Sequence, residues 1–402
     1  QVIIKLKMIK VSDAQQIIRD NIKALSIESI NILESQSRVL AENIFAKTSH
    51  PINDVSAMDG YALNINIKDP SMYYDIVGTS SAGDPNNLKI KINQCVKIFT
   101  GGKLPDGANT ILIQENSSLR DGKLFVKDLE INKHIRKKGQ NFQNGDLILK
   151  TPKKITYRDI GLIALDDRDT IPVYRKPKIS ILSTGDEITF PGENKNKGQF
   201  SSANGPAIAS FVGERGGLIL NNKIEPDNLE KIINSIKNIK ESDMIITTGG
   251  ASVGEKDFIK TALKELNVKI FFEKVLIKPG KPMIFGMYNN TPIFSLPGNP
   301  VSALVCALIF VSIALDKLSG LPGLNPPLSQ ALLLKEISNN GPRETYLRAK
   351  LEVDENSRLL IKPFENQDSN MILNLANANA LIVRKPFEKG SKKGDLVKFI
   401  SL

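Results

Sequence analysis

Apolar residues recur near helical spacing early in the chain, with Ile17, Ile18, Ile22 and Leu25 following Ser12. This predicts a helix from Ser12 to about Leu25 with Ser12 as N-cap. A second helix is expected around Leu33 to Ala46. From Pro51 to Lys138 the pattern changes to short alternating runs such as Cys95 to Phe99 and Thr110 to Gln114, broken by Gly, Pro, Asn and Asp, which reads as a β-rich domain. A turn-rich stretch from Gly139 leads through a short helical segment, Tyr157 to Leu165, to Arg175-Lys176-Pro177, a linker.

Between Lys178 and Leu318 apolar strand-like runs alternate with helical ones. The series is Ile179 to Leu182, helix near Pro206 to Glu214, Leu218 to Ile224, helix Asp227 to Ile239, and Met244 to Thr247. It continues with helix Asp257 to Leu266, Ile270 to Ile277, Met283 to Met287, Ile293 to Leu296 and helix Val301 to Leu318. Such alternation predicts a mostly parallel, doubly wound α/β sheet. After Pro322, Pro326 and Pro327 the helical signal disappears, and Ala331 to Leu402 reads as a small β-barrel or sandwich. No internal repeat or low-complexity segment is seen.

The chain's 402 residues imply several domains, each able to bury its own core. The longest apolar stretch, Val301 to Leu315, carries two serines and falls short of a membrane span, and the first ten residues do not read as a signal peptide. A cytoplasmic protein without membrane contact is expected. Two cysteines, Cys95 and Cys306, and two histidines, His50 and His134, offer no disulfide framework and no zinc set. A metal would therefore be a hard cation on oxygen ligands. The formal charge of +11 suits an anionic ligand, yet scattered Lys accounts for much of it. Without clustered Arg or interleaved aromatics, nucleic acid is not an expected partner.

Three Gly-containing loops follow predicted strands of the α/β region, at the edge where open sheets bind ligands. They are Ser183-Thr184-Gly185-Asp186-Glu187, Thr248 to Asp257 (with Gly249, Gly250, Ser252 and Glu255), and Leu296-Pro297-Gly298-Asn299-Pro300-Val301-Ser302. The last leads into a helix with Asn299 as N-cap and Pro300 at N1, a start suited to phosphate. Any one loop is explained as a tight turn; three on one edge favour a site. Lys278-Pro279-Gly280-Lys281-Pro282 holds two ammonium groups on a stiffened segment, a candidate anion clamp. Asp186, Glu187, Glu255 and Asp257 are candidate Mg²⁺ ligands, one or two of them sufficing beside substrate phosphates. In the β-rich domain, Asp59 sits in Ser56-Ala57-Met58-Asp59-Gly60-Tyr61-Ala62 and Thr100 ends a strand. Each alone would be a structural turn, and both cysteines read as small core residues.

Taken in order, these motifs, with Ile98-Phe99-Thr100-Gly101 and Leu104 to Ala108 followed by Gln114-Glu115, resemble the molybdopterin molybdotransferase family, which includes the E domain of gephyrin. The resemblance spans nearly the whole chain. It implies four parts: an elongated linking and dimerisation region from residues 1–50 and 139–176, a β-rich domain at 51–138, an α/β molybdopterin-binding domain at 177–326, and a C-terminal β-barrel-like domain at 327–402. It implies an enzyme that takes adenylylated molybdopterin and molybdate, uses Mg²⁺, and releases molybdenum cofactor and AMP. Asp59, Thr100, Glu187 and Asp257 would be catalytic. Ser183, Thr184, Gly185, Asp186, Gly249, Gly250, Ser252, Lys278, Lys281, Pro297, Gly298, Asn299, Pro300, Ser302, Arg348 and Ser369 would bind substrate, and Glu187, Asp227 and Asp257 the metal.

Family members are homodimers whose site joins the α/β domain of one subunit to the β-rich domain of the other, and the molybdopterin adenylyltransferase is a candidate partner. Three positions depart from the family pattern. Gln140 and Asn141 stand where Glu and Asp are usual, and Ser202 where Asp is usual. Two alternatives to the enzyme are a non-catalytic molybdopterin-binding scaffold and a paralogue with altered oxyanion preference. A P-loop transferase is disfavoured, since no G-x-x-x-x-G-K-[ST] run is present.

Overall fold

Helix Val11–Asn21 buries Val11, Ala14 and Ile18 on one face. It begins one residue before Ser12, whose hydroxyl bonds Asp13 inside the helix while Lys10 is an N-cap without a side-chain bond. The helix ends before Leu25 because Ile22 is already extended. The structure, a computed structural model, describes residues 8–65, 73–85, 87–127, 131, 133–249 and 258–402. These fall into two units. One holds the described residues up to Glu28, Ser37–Ala41 and Val173–Leu402; the other holds Ser29–Gln36 and Glu42–Pro172.

In the first unit the main sheet places Leu218–Glu225, Lys178–Thr184, Met244–Thr248 and Thr291–Leu296 side by side in parallel, then adds Pro282–Tyr288 and Lys269–Lys274 antiparallel at one edge. This is the mostly parallel, doubly wound α/β sheet the sequence predicts. Helices Asn204–Glu214 and Val11–Asn21 share a core with the long helix that begins at Pro300. Leu229–Lys237 and Phe258–Glu265 contribute to a separate core. The central strands are buried almost throughout, Met244–Thr248 at every position, as sandwiching between helices requires, whereas the edge strand Leu218–Glu225 carries Asn221, Asn222, Lys223 and Glu225 and has no buried position.

The segment from Pro300 to Leu318 is helical throughout, α over Pro300–Cys306 and Ser312–Leu318 with a π turn, Ala307–Val311, between. At 19 residues and mean hydropathy 2.1 it is long and apolar enough to cross a membrane, which the 15-residue stretch Val301 to Leu315 understated. Its most apolar window is 78% buried within the protein, so the protein core accounts for that composition.

The expected strand Ile270 to Ile277 is split. Lys269–Lys274 stays in the α/β sheet, whereas Ile277–Lys278 leaves it and pairs in parallel with Glu344–Val353 of the C-terminal region. There, Glu344–Val353, Leu359–Pro363, Ser329–Leu333, Leu396–Ser401 and Ala380–Arg384 close into a five-stranded barrel, the last strand pairing back to the first. Closure buries Ala349, Ile361, Ile382 and Phe399. One short helix, Ile372–Asn377, occupies a stretch expected to be free of helix.

The second unit is built on a six-stranded sheet in the order Thr110–Ile113, Gly60–Leu63, Gln94–Ile98, Tyr73–Ser80, Lys123–Val126 and Ser117–Arg120. Its single α-helix among the described residues, Tyr157–Leu165, starts on a capping box of Thr156 and Asp159. Leu33 to Ala46, expected to be helical, is divided between the units and instead holds the end of a 3₁₀ turn, Ile32–Glu34, and two short strands, Val39–Leu40 in the first unit and Ile44–Phe45 in the second.

Candidate functional site

The strands Lys178–Thr184, Met244–Thr248 and Thr291–Leu296 end level with one another, Ser183 pairing with Thr248 and Thr248 with Leu296. Their loops therefore leave the sheet together at its carboxyl edge. A Cβ on Gly249 (φ +94°) would stand 2.1 Å from the Thr184 carbonyl oxygen, so only glycine fits between these strand ends. The Glu187 carboxylate folds back over Gly185, where an added Cβ would meet it at 2.8 Å.

A cavity of about 710 Å³ opens above this edge. Ser183, Thr184, Glu187, Gly249, Pro297, Gly298, Asn299, Pro300 and Ser302, all expected at the site, line it. Two helices, Asn204–Glu214 and the one beginning at Pro300, start on its wall, and neither start is capped by a side-chain hydrogen bond. Asn204 Nδ2 donates instead to Thr248 Oγ1 at 2.8 Å and to the Gly298 carbonyl at 2.7 Å, tying the loops together. Ser183 Oγ, Thr184 Oγ1 and Asn204 Oδ1 are buried with no hydrogen-bond partner among the described residues. Orphaned buried polar atoms carry a penalty that a bound polar ligand removes. Uncapped helix starts add positive partial charge, so the cavity suits an anion.

Asp186 does not line the cavity; its Oδ1 accepts from the Asp227 amide at 3.1 Å, which sets these two acids side by side at the ends of adjacent strands. Among the described residues no group of three or more His, Cys, Asp or Glu forms a metal cage. Glu187 lines the cavity with Ser183 and Thr184, and one carboxylate there would suffice to hold a Mg²⁺ ion completed by substrate oxygens. Gly250, Ser252, Glu255 and Asp257 lie outside the described residues.

A second cavity of about 350 Å³ shares Pro282 and Ser302 with the first. Because Lys269–Lys274 runs up and Pro282–Tyr288 runs down, the Lys278 to Pro282 segment between them lies on the same carboxyl edge. Lys278, Lys281, Arg348 and Ser369 line this cavity, together with Arg343, which sequence reasoning missed. None of the four cations has an ion-pair partner among the described residues. Arg348 is 1% exposed, its Nε has no partner, and Nη2 donates to the Asp368 carbonyl at 2.9 Å. Burial pushes its guanidinium below the ordinary value, the nearby Asp368 charge opposing. Asn299 Nδ2 donates to Ser369 Oγ at 2.7 Å, linking the two cavities' walls.

In the second unit Asp59 and Thr100, 41 residues apart, meet directly. Asp59 Oδ1 accepts from the Thr100 amide at 2.7 Å and its hydroxyl at 2.8 Å. Those bonds, the amide's first, hold the Asp59 carboxyl below its usual range, so it stays ionised at neutral pH. Gln140 and Asn141 also belong to this unit: Gln140 accepts from the Lys137 amide and Asn141 lies 3.5 Å from His50 Nδ1. Ser202 lines the larger cavity of the first unit. Cys95 and Cys306 are fully buried, as expected of core residues, and burial pushes the Cys95 thiol up to about 12.

Three family models match in succession: MoeA N-terminal region (domain I and II) over residues 9–165, probable molybdopterin binding domain over 180–317, and MoeA C-terminal region (domain IV) over 330–402. The molybdopterin molybdenumtransferase of Haemophilus influenzae is 30% identical over 376 residues, covering 92% of each chain. Gephyrin of Dictyostelium discoideum is 31% identical over 435 residues, covering 95% of this chain and 60% of that one. In fold, a molybdopterin biosynthesis protein from Pyrococcus horikoshii superimposes with a TM-score of 0.84 at 24% identity, covering 98% of this chain and 99% of that one.

Proposed function

The chain belongs to the molybdopterin molybdenumtransferase family, enzymes of molybdenum cofactor biosynthesis, and from that premise we propose that it inserts molybdenum from molybdate into adenylylated molybdopterin, releasing cofactor and AMP. The observation that carries this reading is the pair of adjoining cavities, one walled by two uncapped helix starts and orphaned hydroxyls, the other by four unpaired cations. The substrates need such a pair. A phosphoanhydride is held by backbone amides and hydroxyls, and a small dianion by converging ammonium and guanidinium groups.

In this reading the larger cavity takes the phosphoanhydride, with Ser183, Thr184 and the start of the Asn204–Glu214 helix orienting its oxygens. Molybdate sits in the second cavity on Lys278, Lys281, Arg348 and Ser369. Mg²⁺ on Glu187, with Asp227 and Asp257 as further family ligands, would neutralise charge on the breaking anhydride. Asp59, kept ionised by Thr100, supplies a fixed carboxylate. The family resemblance adds a homodimer in which Asp59 and Thr100 serve the partner subunit's site.

Incubating the pure protein with adenylylated molybdopterin, Mg²⁺ and molybdate tests the proposal. AMP and molybdenum cofactor are expected to form together, in step. Tight molybdopterin binding with no AMP release would make the protein a scaffold.

A further inference from the structure

We propose that Ser56 is a positioning residue, which aims the Asp59 carboxylate through the peptide unit joining Met58 to Asp59. The inference rests on the reading that gives Asp59 a part in the reaction, and adds the group that holds it in place. Ser56 is 0% exposed, whereas Met58 is 42% exposed and Asp59 is exposed beside it. Ser56 Oγ donates to the Met58 carbonyl at 2.5 Å and accepts from the Met58 amide at 3.3 Å, so one hydroxyl holds both backbone polar groups of the residue before Asp59. A peptide unit is planar, and fixing its oxygen therefore fixes the direction in which the chain enters the Asp59 Cα. A serine bonding the backbone two residues on is the means by which a short side chain shapes a turn.

Ser56 is itself clamped to the turn that carries Thr100. Its amide donates to the Gly102 carbonyl at 2.9 Å, and its carbonyl accepts from the Gly101 amide at 2.9 Å. On its other side Ser56 pairs with Ile135, and the Ala57 amide donates to the His134 carbonyl at 2.8 Å. Beyond Met58 the chain is held again. The Asp59 carbonyl accepts from the Gln114 amide at 3.2 Å, and Gly60 enters the sheet opposite Ile98 and Ile113. Between these anchors Met58 is held, among the described residues, by Ser56 Oγ alone. The two bonds from Thr100 to Asp59 Oδ1 require both turns in register, and the Ser56 backbone and hydroxyl supply it from one buried residue. Without the hydroxyl the Met58 peptide groups turn to water, and the carboxylate is no longer aimed at the Thr100 donors.

The Thr100 amide donates to Asp59 Oδ1, so its NMR signal in the full chain, followed against pH, reports the ionisation of that carboxylate. In the wild type the midpoint should lie below the ordinary aspartate value, because both Thr100 bonds favour the charged form. Ser56→Ala should raise the midpoint toward the ordinary value and slow AMP release from adenylylated molybdopterin roughly tenfold, the loss of about one hydrogen bond. Ser56→Cys, whose thiol is a weak donor and acceptor, should fall between. Ile111→Val, a change in the core of the same unit, should lower the melting temperature and move neither the midpoint nor the rate, which separates aiming from stability. Should Ser56→Ala fail to fold, Ser56→Cys decides in its place. A wild-type midpoint or a wild-type rate in the Ser56 variants, with Asp59→Ala inactive, overturns the positioning role and leaves the reading of Asp59 standing. Full AMP release by Asp59→Ala overturns that reading, and the Thr100 midpoint then decides alone whether Ser56 holds the carboxylate.

Discussion

Ser202 is 5% exposed on the wall of the larger cavity, two residues before the helix that starts at Asn204. An acid there would oppose the two helix starts that draw an anion in. Unit charges about 8 Å apart at an effective dielectric near 20 repel by about 2 kcal/mol before screening. Ser202→Asp is therefore expected to weaken AMP binding roughly tenfold without Mg²⁺ and to strengthen Mg²⁺ binding, both measured by titration; equal values for variant and wild type would make Ser202 neutral. The sequence marked Ser202 only as a departure, because nothing local says which way a side chain faces. The lysines of Lys278 to Pro282 were legible from their spacing and prolines. Arg343 was not, since its place depends on a strand pairing 66 residues away. Asp59 and Thr100 were joined beforehand by resemblance alone; their two hydrogen bonds supply the physical reason.

At the scale of elements, the alternation of buried strands and amphipathic helices was plain in the sequence because each element crosses a full core. Short pieces were not. Leu33 to Ala46 offers apolar residues at spacings that mimic a helix, but its strands are two residues long and are decided by pairing partners distant in the chain, Val173 with Leu40 and Leu149 with Ile44. The departure of Ile277–Lys278 from the α/β sheet was equally hidden, since both settings bury Ile277. Gly280 is where this crossing strand meets the core helix. It sits at φ +108°, and an added Cβ would fall 2.3 Å from Cys306 Sγ. Gly280→Ala should lower stability by about 1 to 3 kcal/mol, seen as a reduced melting temperature, and weaken molybdate binding through the displaced lysines. Adding Cys306→Ala removes the atom in conflict and should recover part of the loss. Failure to recover any of it would place the whole cost in the backbone angle.

At the scale of the molecule, the recognised chemistry is divided between units: Asp59 and Thr100 in one, the two cavities in the other. The proposed homodimer turns this division into a count. If each site takes Asp59 from one subunit and Lys278 from its partner, homodimers of Asp59→Ala or of Lys278→Ala have no intact site. A mixed dimer has one site with both residues and one with neither. Free exchange of equal amounts makes half the dimers mixed, so activity should return to roughly a quarter of the wild-type level. If both residues act within one subunit, every site in every dimer lacks one of them and the mixture stays inactive. Subunit exchange shown independently, by mass or by resonance energy transfer, with no recovery of AMP release, would place Asp59 and Lys278 in the same chain's site.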